Sequence, residues 1–160
     1  MRVTKRTNIA MRLLMFCAAN EGRLVTKADV AKRCNASENH LAQVIHQLAL
    51  LDYLRTQRGR NGGFSLARPA HQISVGDVFR DIEGPVPLAE CFADADQSCP
   101  LASACLLRPA MAAAASAFYE ALDPIVLSDL VDGNAPLQAI LCDPSPSKPC
   151  RTGQAAREGS

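Results

Sequence analysis

Cys91, Cys99 and Cys105 lie within fifteen residues of one another, spaced Cys-x7-Cys-x5-Cys, and Pro100 directly follows the second. Thiolates converging from one loop can hold a metal centre, and soft sulfur ligands select zinc or iron–sulfur clusters. Structural zinc usually takes paired Cys-x2–4-Cys ligands and closes with four. Here the pairs are missing, and His40, His46 and His71 all lie elsewhere. Three thiolates with a fourth position open, and a proline after a ligand, favour a cluster. Structural zinc and free or redox-active thiols are the other readings of this spacing. Cys17 and Cys34 fall at helical spacing and read as core residues. Cys142 and Cys150 flank the tail and read as free thiols, with packing or ligation open to Cys142.

The chain that must position these thiols has 160 residues, enough for one domain with an appendage and a real core. Hydrophobic residues make up 48% and aromatics 4%, without Trp, so an aliphatic core is expected. No apolar run reaches membrane-spanning length, and the start lacks the order of a signal peptide. A soluble cytoplasmic protein with no membrane partner is expected, and seven cysteines there point to metal or redox chemistry rather than a disulfide framework.

Charge is divided along the sequence. Residues 1–80 carry 13 Lys+Arg and 5 Asp+Glu, a net of +8, whereas residues 81–160 carry 4 and 11, a net of −7. A basic half is an electrostatic footprint of nucleic-acid binding, although a solvated charged surface produces the same arithmetic.

The basic half has a legible order. Thr7 or Asn8 is positioned to cap a first helix to about Asn20, with Ile9, Leu13, Phe16 and Cys17 on one face. Thr26 and Asp29 resemble a capping box opening a short helix to Cys34. After an Asn35-Ala36 turn, Ser37 is placed to cap a third helix, with Leu41, Val44, Ile45, Leu48 and Leu51 in a 3–4 repeat. Its other face carries Glu38, Asn39, His40, Gln43, His46 and Gln47. Two strand-like runs, Tyr53 to Gln57 and Phe64 to Ala67, flank Arg58-Gly59-Arg60-Asn61-Gly62-Gly63. Together these predict a winged helix-turn-helix: the third helix in the major groove of double-stranded DNA, the hairpin on backbone or minor groove. Candidate DNA contacts are Ser37, Glu38, Asn39, His40, Gln43, Arg58, Arg60 and Asn61. Arg suits phosphate and narrow minor grooves, and amides can read adenine. A flexible surface hairpin is the plainer reading of the glycine-rich run.

Ser74 and Asp77 open a fourth helix to about Glu83, broken by Gly84-Pro85-Val86-Pro87. A long helix from about Pro109 to Leu122 contains Ala112 to Ala115. Small residues permit close helix–helix approach, so it can serve a homodimer, with an ordinary core helix as the rival. One or two helical turns over Ile125 to Val131 follow. The expected fold is mainly α with a small β-hairpin: a winged helix-turn-helix plus a long dimerisation helix. The divisions are 1–83 for DNA binding, 84–108 for the cysteine loop, 109–142 for the dimerisation helix and C-terminal helical turn, and 143–160 for a disordered tail.

With these motifs in place the sequence resembles the Rrf-type winged-helix iron–sulfur transcriptional regulators, a family with RirA-like, NsrR-like and IscR-like branches. The resemblance covers about residues 1–141. It rests on Met1-Arg2-Val3-Thr4, Ala18-Ala19-Asn20-Glu21-Gly22, Ser37-Glu38-Asn39-His40-Leu41 and the wing Arg58 to Gly63. It continues through Ala89-Glu90-Cys91-Phe92, Cys99-Pro100-Leu101 and Cys105. It implies a homodimeric DNA-binding repressor whose 4Fe–4S cluster, held by Cys91, Cys99 and Cys105, senses iron status or nitric oxide. In NsrR-like members an Asp near the partner subunit's N-terminus can supply the fourth ligand; the matching position here is Asn8, a weaker iron ligand. Thr7, Asn8, Ala10 and Arg12 look closer to the RirA branch, whereas Leu127 to Val131 looks like NsrR. The balance leans slightly to iron. A cluster-free zinc or thiol-switch regulator is the alternative, and an iron–sulfur enzyme or electron carrier a more distant one. No Ser/His/Asp set, paired acids or dinucleotide fingerprint supports an enzyme.

Overall fold

A computed structural model of the chain describes residues 3–60, 62–84, 100–101 and 104–142. The elements run α1 (Lys5–Ala19), α2 (Lys27–Cys34), α3 (Glu38–Leu50), β1 (Leu54–Gln57), β2 (Gly63–Leu66), α4 (Val75–Glu83), α5 (Leu107–Leu122), α6 (Leu127–Val131) and α7 (Ala135–Leu141). A short 3₁₀ turn, Ala70–Gln72, precedes α4.

The helix-turn-helix forms as its local signals require. Thr26 and Asp29 complete a reciprocal capping box at the start of α2, each side chain bonding the other's backbone N–H. Asn35 takes the left-handed conformation, φ 48°, that ends α2 and turns the chain into α3. The 3–4 repeat of α3 buries Leu41, Val44 and Leu48. These side chains meet Ile9, Leu13, Leu14, Phe16 and Cys17 of α1 in one aliphatic core. Thus α1 is the central strut, with α2, α3, α4 and α6 packed around it.

β1 and β2 pair antiparallel in the register Leu54↔Leu66 to Gln57↔Gly63. Val25 bridges the other edge of β2 through two 2.9 Å hydrogen bonds with Phe64. That third edge fixes the wing to the segment between α1 and α2. Gly63 is needed there, because a Cβ would lie 2.6 Å from the Val25 carbonyl oxygen.

The structure moves several boundaries. α1 is capped by Thr4, not Thr7 or Asn8: the Thr4 hydroxyl accepts from the Thr7 backbone N–H, and Thr7 is buried in the first turns. Ser37 occupies the N-cap position of α3 but makes no side-chain cap bond. α5 begins at Leu107, two residues before Pro109, which sits where its missing N–H costs no helical bond. α7 is an element that the sequence reading lacks. Its cap is Asn134, whose side chain accepts from the Leu137 N–H at 3.1 Å. It is tied to α1 through Asn20, whose buried amide donates to the carbonyls of Phe16 (2.8 Å) and Leu141 (3.1 Å).

Candidate nucleic-acid interface and cysteine centre

α3 turns its apolar side into the core and leaves Glu38, Asn39, His40, Gln43 and His46 exposed. Ser37 Oγ instead pairs with His40 Nδ1 at 2.8 Å. The pair orients the imidazole and leaves Nε2 as its outward-facing atom. Glu38 Oε2 lies 3.2 Å from Lys27 Nζ, an exposed ion pair joining the starts of the two helices. Lys27 therefore bears on any base contact by Glu38, a coupling the sequence reading missed because the residues sit on different helices. Arg58 and Arg60 are exposed at the wing tip; Asn61 lies outside the described residues.

Behind these surfaces α4 is a hub. The Tyr53 hydroxyl, at the base of the wing, donates to Asp81 Oδ2 at 2.6 Å. The Arg68 guanidinium lies 4.8 Å above the Tyr53 ring. Burial, and then the bond to Asp81, push the Tyr53 phenol well above the usual tyrosine range. Glu83 Oε1 accepts from the Thr4 backbone N–H at 2.7 Å. Burial works to raise the Glu83 carboxyl, but hydrogen bonds from Thr7 and from Thr4 outweigh it and hold the group below the usual range.

This has an acid consequence. A carboxyl depressed in the folded state stabilises fully above its unfolded value, about 4.3, and that contribution is lost as pH falls through the folded value. Glu83→Gln is therefore expected to flatten the acid limb of a Tm-against-pH curve below about pH 4.3 and to leave its shape near neutrality unchanged. Thermal melts across the acid range check it; an acid limb identical to wild type contradicts it.

Among the described residues Cys17, Cys34 and Cys105 carry free thiols. Cys17 and Cys34 are buried, as read from their spacing. Burial, then the neighbouring Cys34, pushes the Cys17 thiol far up; burial also raises Cys34, against the opposing charge of Arg12. These are packing residues, poor in thiolate. Cys142, read from sequence as free, is disulfide-bonded, and its Sγ rests 3.7 Å from the Ala19 carbonyl oxygen. Cys105 differs from the buried pair: it is partly exposed, two residues before α5. Among the described residues no side chain caps the start of that helix. A soft donor beside such a helix start suits an anionic iron–sulfur centre. Cys91 and Cys99 lie outside the described residues, and among the described residues no three His, Cys, Asp or Glu side chains converge on a metal site. Asn8 is exposed and opens on a cleft of about 550 Å³ shared with Lys5, Arg12, Ser37 and His40. The fourth-ligand position named from the sequence thus borders the start of α3. No described helix is long and apolar enough to cross a membrane.

A helix-turn-helix with an exposed polar third helix and an arginine-tipped hairpin braced on Val25 defines a winged-helix DNA-binding protein. Residues 3–133 match the family Rrf2, iron-dependent transcriptional regulator, and the chain belongs to that family. Protein aau3 of Rhizobium meliloti (strain 1021) is 38% identical over 149 residues, covering 93% of this chain and 97% of that protein. The HTH-type transcriptional regulator NsrR of Geobacillus kaustophilus (strain HTA426) is 38% identical over 142 residues, covering 88% and 97%. Among solved structures, CymR, the global cysteine regulator of B. subtilis, superposes with a TM-score of 0.66 at 23% identity, over 82% of this chain and 96% of that one. The fold is therefore the winged-helix arrangement of this family, and the protein is a regulator of transcription rather than an enzyme.

Proposed function

We propose that the protein is a homodimeric repressor whose iron–sulfur cluster, a 4Fe–4S centre held by Cys91, Cys99 and Cys105, reports iron status or nitric oxide by changing operator affinity. The observation that carries this reading is the position of Cys91, Cys99 and Cys105 in sequence between α4 and α5, in a chain whose other described cysteines are buried or disulfide-bonded. The family description, an iron-dependent regulator, favours iron as the effector.

DNA recognition divides between two surfaces. Arg58 and Arg60 supply affinity through phosphates or the minor groove. Asn39, His40, Gln43 and Glu38 face the base edges from α3, with Ser37 orienting His40, and Asn61 is a further candidate contact. The second protomer is placed on α5. None of its 16 residues is buried within one chain, and Leu106 and Leu107 are 83% and 66% exposed at its start. A helix of that length with no buried side chain is stabilised by a partner rather than by propensity, and a two-fold dimer suits paired half-sites. The working division is 1–83, 84–108, 109–142 and 143–160. When bound, the cluster supplies a redox-sensitive and nitric-oxide-sensitive crosslink among the loop cysteines. Asn8 would offer a neutral oxygen as fourth donor, a weaker iron ligand than a carboxylate, so one iron would be held weakly.

Anaerobic purification with iron and sulfide analysis, beside sedimentation and duplex binding, tests the reading. A brown dimer holding iron and sulfide and binding duplex DNA is expected. A colourless zinc protein would replace it with the zinc-regulator alternative, and a monomer would remove the role given to α5.

A further inference from the structure

We propose that Arg80 and Asp123 are a positioning pair: together they set the angle between the dimer arm α5 and the DNA-reading body, and through that angle the spacing of two recognition helices. The role in regulation rests on the cluster-sensing reading above; the positioning role does not.

Three residues in the last turns of α4, Arg80, Asp81 and Glu83, reach three different parts of the chain. Asp81 binds Tyr53 at the base of the wing, and Glu83 binds the Thr4 N–H at the start of α1. These two contacts fix α4 to the body that carries α3. Arg80 points to the other side. Its Nη1 and Nη2 donate to Asp123 Oδ1 and Oδ2 at 2.6 and 2.7 Å, a paired fork on the residue that caps the end of α5. Its guanidinium also lies 4.8 Å above the Tyr119 ring.

Asp123 is held from its backbone as well. Ser74 Oγ donates to the Asp123 carbonyl at 3.0 Å, and the Val75 N–H donates to the Ile125 carbonyl at 2.9 Å. Gly76 completes the seat: a Cβ there would lie 2.0 Å from Asp123 Oδ1 and 3.0 Å from its backbone nitrogen. Phe79 and Phe118 add an edge-to-face contact with ring centroids 6.0 Å apart. The far end of α5 has no comparable anchor among the described residues, and its Leu106 and Leu107 are exposed. α5 is therefore an arm clamped at one end. Sixteen residues give it a length of about 24 Å. A tilt of about 10° at the clamp moves the free end by about 4 Å. Gly84 ends α4 one turn beyond Arg80, and the segment carrying Cys91 and Cys99 follows it in sequence.

The test uses full-length Asp123→Ala protein, with Asp123→Glu as the conservative variant. The absorbance of the cluster and the dimer in sedimentation are expected to stay as in wild type. The ratio of operator affinities between loaded and cluster-free protein is expected to fall to within about two-fold of one. Spin labels on an encoded unnatural residue at the exposed position Ala28 should give a narrow distance across the wild-type dimer. That distribution should broaden in Asp123→Ala and narrow again in Asp123→Glu. If Asp123→Ala does not fold, Arg80→Lys keeps the charge but loses the fork and should broaden the distances partially. Wild-type distances and an unchanged affinity ratio in the variant overturn the proposal, as does a wild-type monomer. A wild-type ratio of one with broadened distances in Asp123→Ala removes the cluster-sensing reading and leaves the positioning role standing.

Discussion

Cys99→Ala, Cys91→Ala and Cys105→Ala, each alone, are expected to abolish the visible absorbance of anaerobically purified protein and to leave operator affinity independent of iron and nitric oxide. In the proposed centre three thiolates with a weak fourth donor would leave no spare ligand, so one substitution would drop the set below what a four-iron centre tolerates. Cys17→Ala and Cys34→Ala should keep the absorbance and the response, because both thiols are buried in the α1–α2 core. The contrast between the two groups carries the information. General loss of folding would affect the core pair first, whereas loss of the centre affects only the loop. The expected change in operator affinity between loaded and cluster-free wild type is at least tenfold, equivalent to about 1.4 kcal/mol. Visible absorbance, iron content and duplex binding on the five variants check the prediction. A Cys99→Ala protein with a full cluster contradicts it.

Arg58→Ala with Arg60→Ala is expected to weaken binding to every duplex and to lower the slope of log K against log salt. Each lost phosphate contact removes about 0.9 from that slope, so the double variant should lose nearly two. Both side chains are exposed on a hairpin tip braced at its base by Val25 and Tyr53, so their loss leaves the fold intact. Gln43→Ala should behave differently. It should cost about 1–3 kcal/mol at one base pair and leave the salt slope alone, as expected for a base contact. Fluorescence titrations from about 50 to 200 mM salt, on matched and mismatched duplexes, separate the two behaviours. An unchanged slope in the arginine variant would remove the wing from the interface.

The helix-turn-helix and its hairpin were legible in the sequence because their signals are local. Thr26 and Asp29 are three residues apart, Asn35 turns the chain by itself, and the α3 repeat needs only its own spacing. The wing followed from two strand-like runs around a glycine-rich tip, although the reason Gly63 must be glycine, the Val25 carbonyl, lies 38 positions away. What stayed hidden was long-range. Arg80 meets Asp123 across 43 positions, Tyr53 meets Asp81 across 28, and Glu83 meets Thr4 across 79. In sequence each is an ordinary surface charge or hydroxyl, and no periodicity ties the partners together. The start of α1 was misplaced for a related reason: Thr7 is a good capping type, but its buried place beside Glu83 is settled by the packing of α4. α7 was missed because seven residues with one buried side chain, Leu141, carry too little amphipathic signal. Of the candidate centre, only the cysteine spacing was readable; Cys105 lies two residues before α5, and Cys91 and Cys99 lie outside the described residues.

Cluster control of DNA binding is measured as the affinity of one operator duplex for the same preparation before and after anaerobic iron chelation, with dimer content followed in parallel. An unchanged dimer is expected, with an affinity that shifts at least tenfold and returns when iron and sulfide are restored. A stripped dimer that binds the operator as tightly as the loaded one would contradict it.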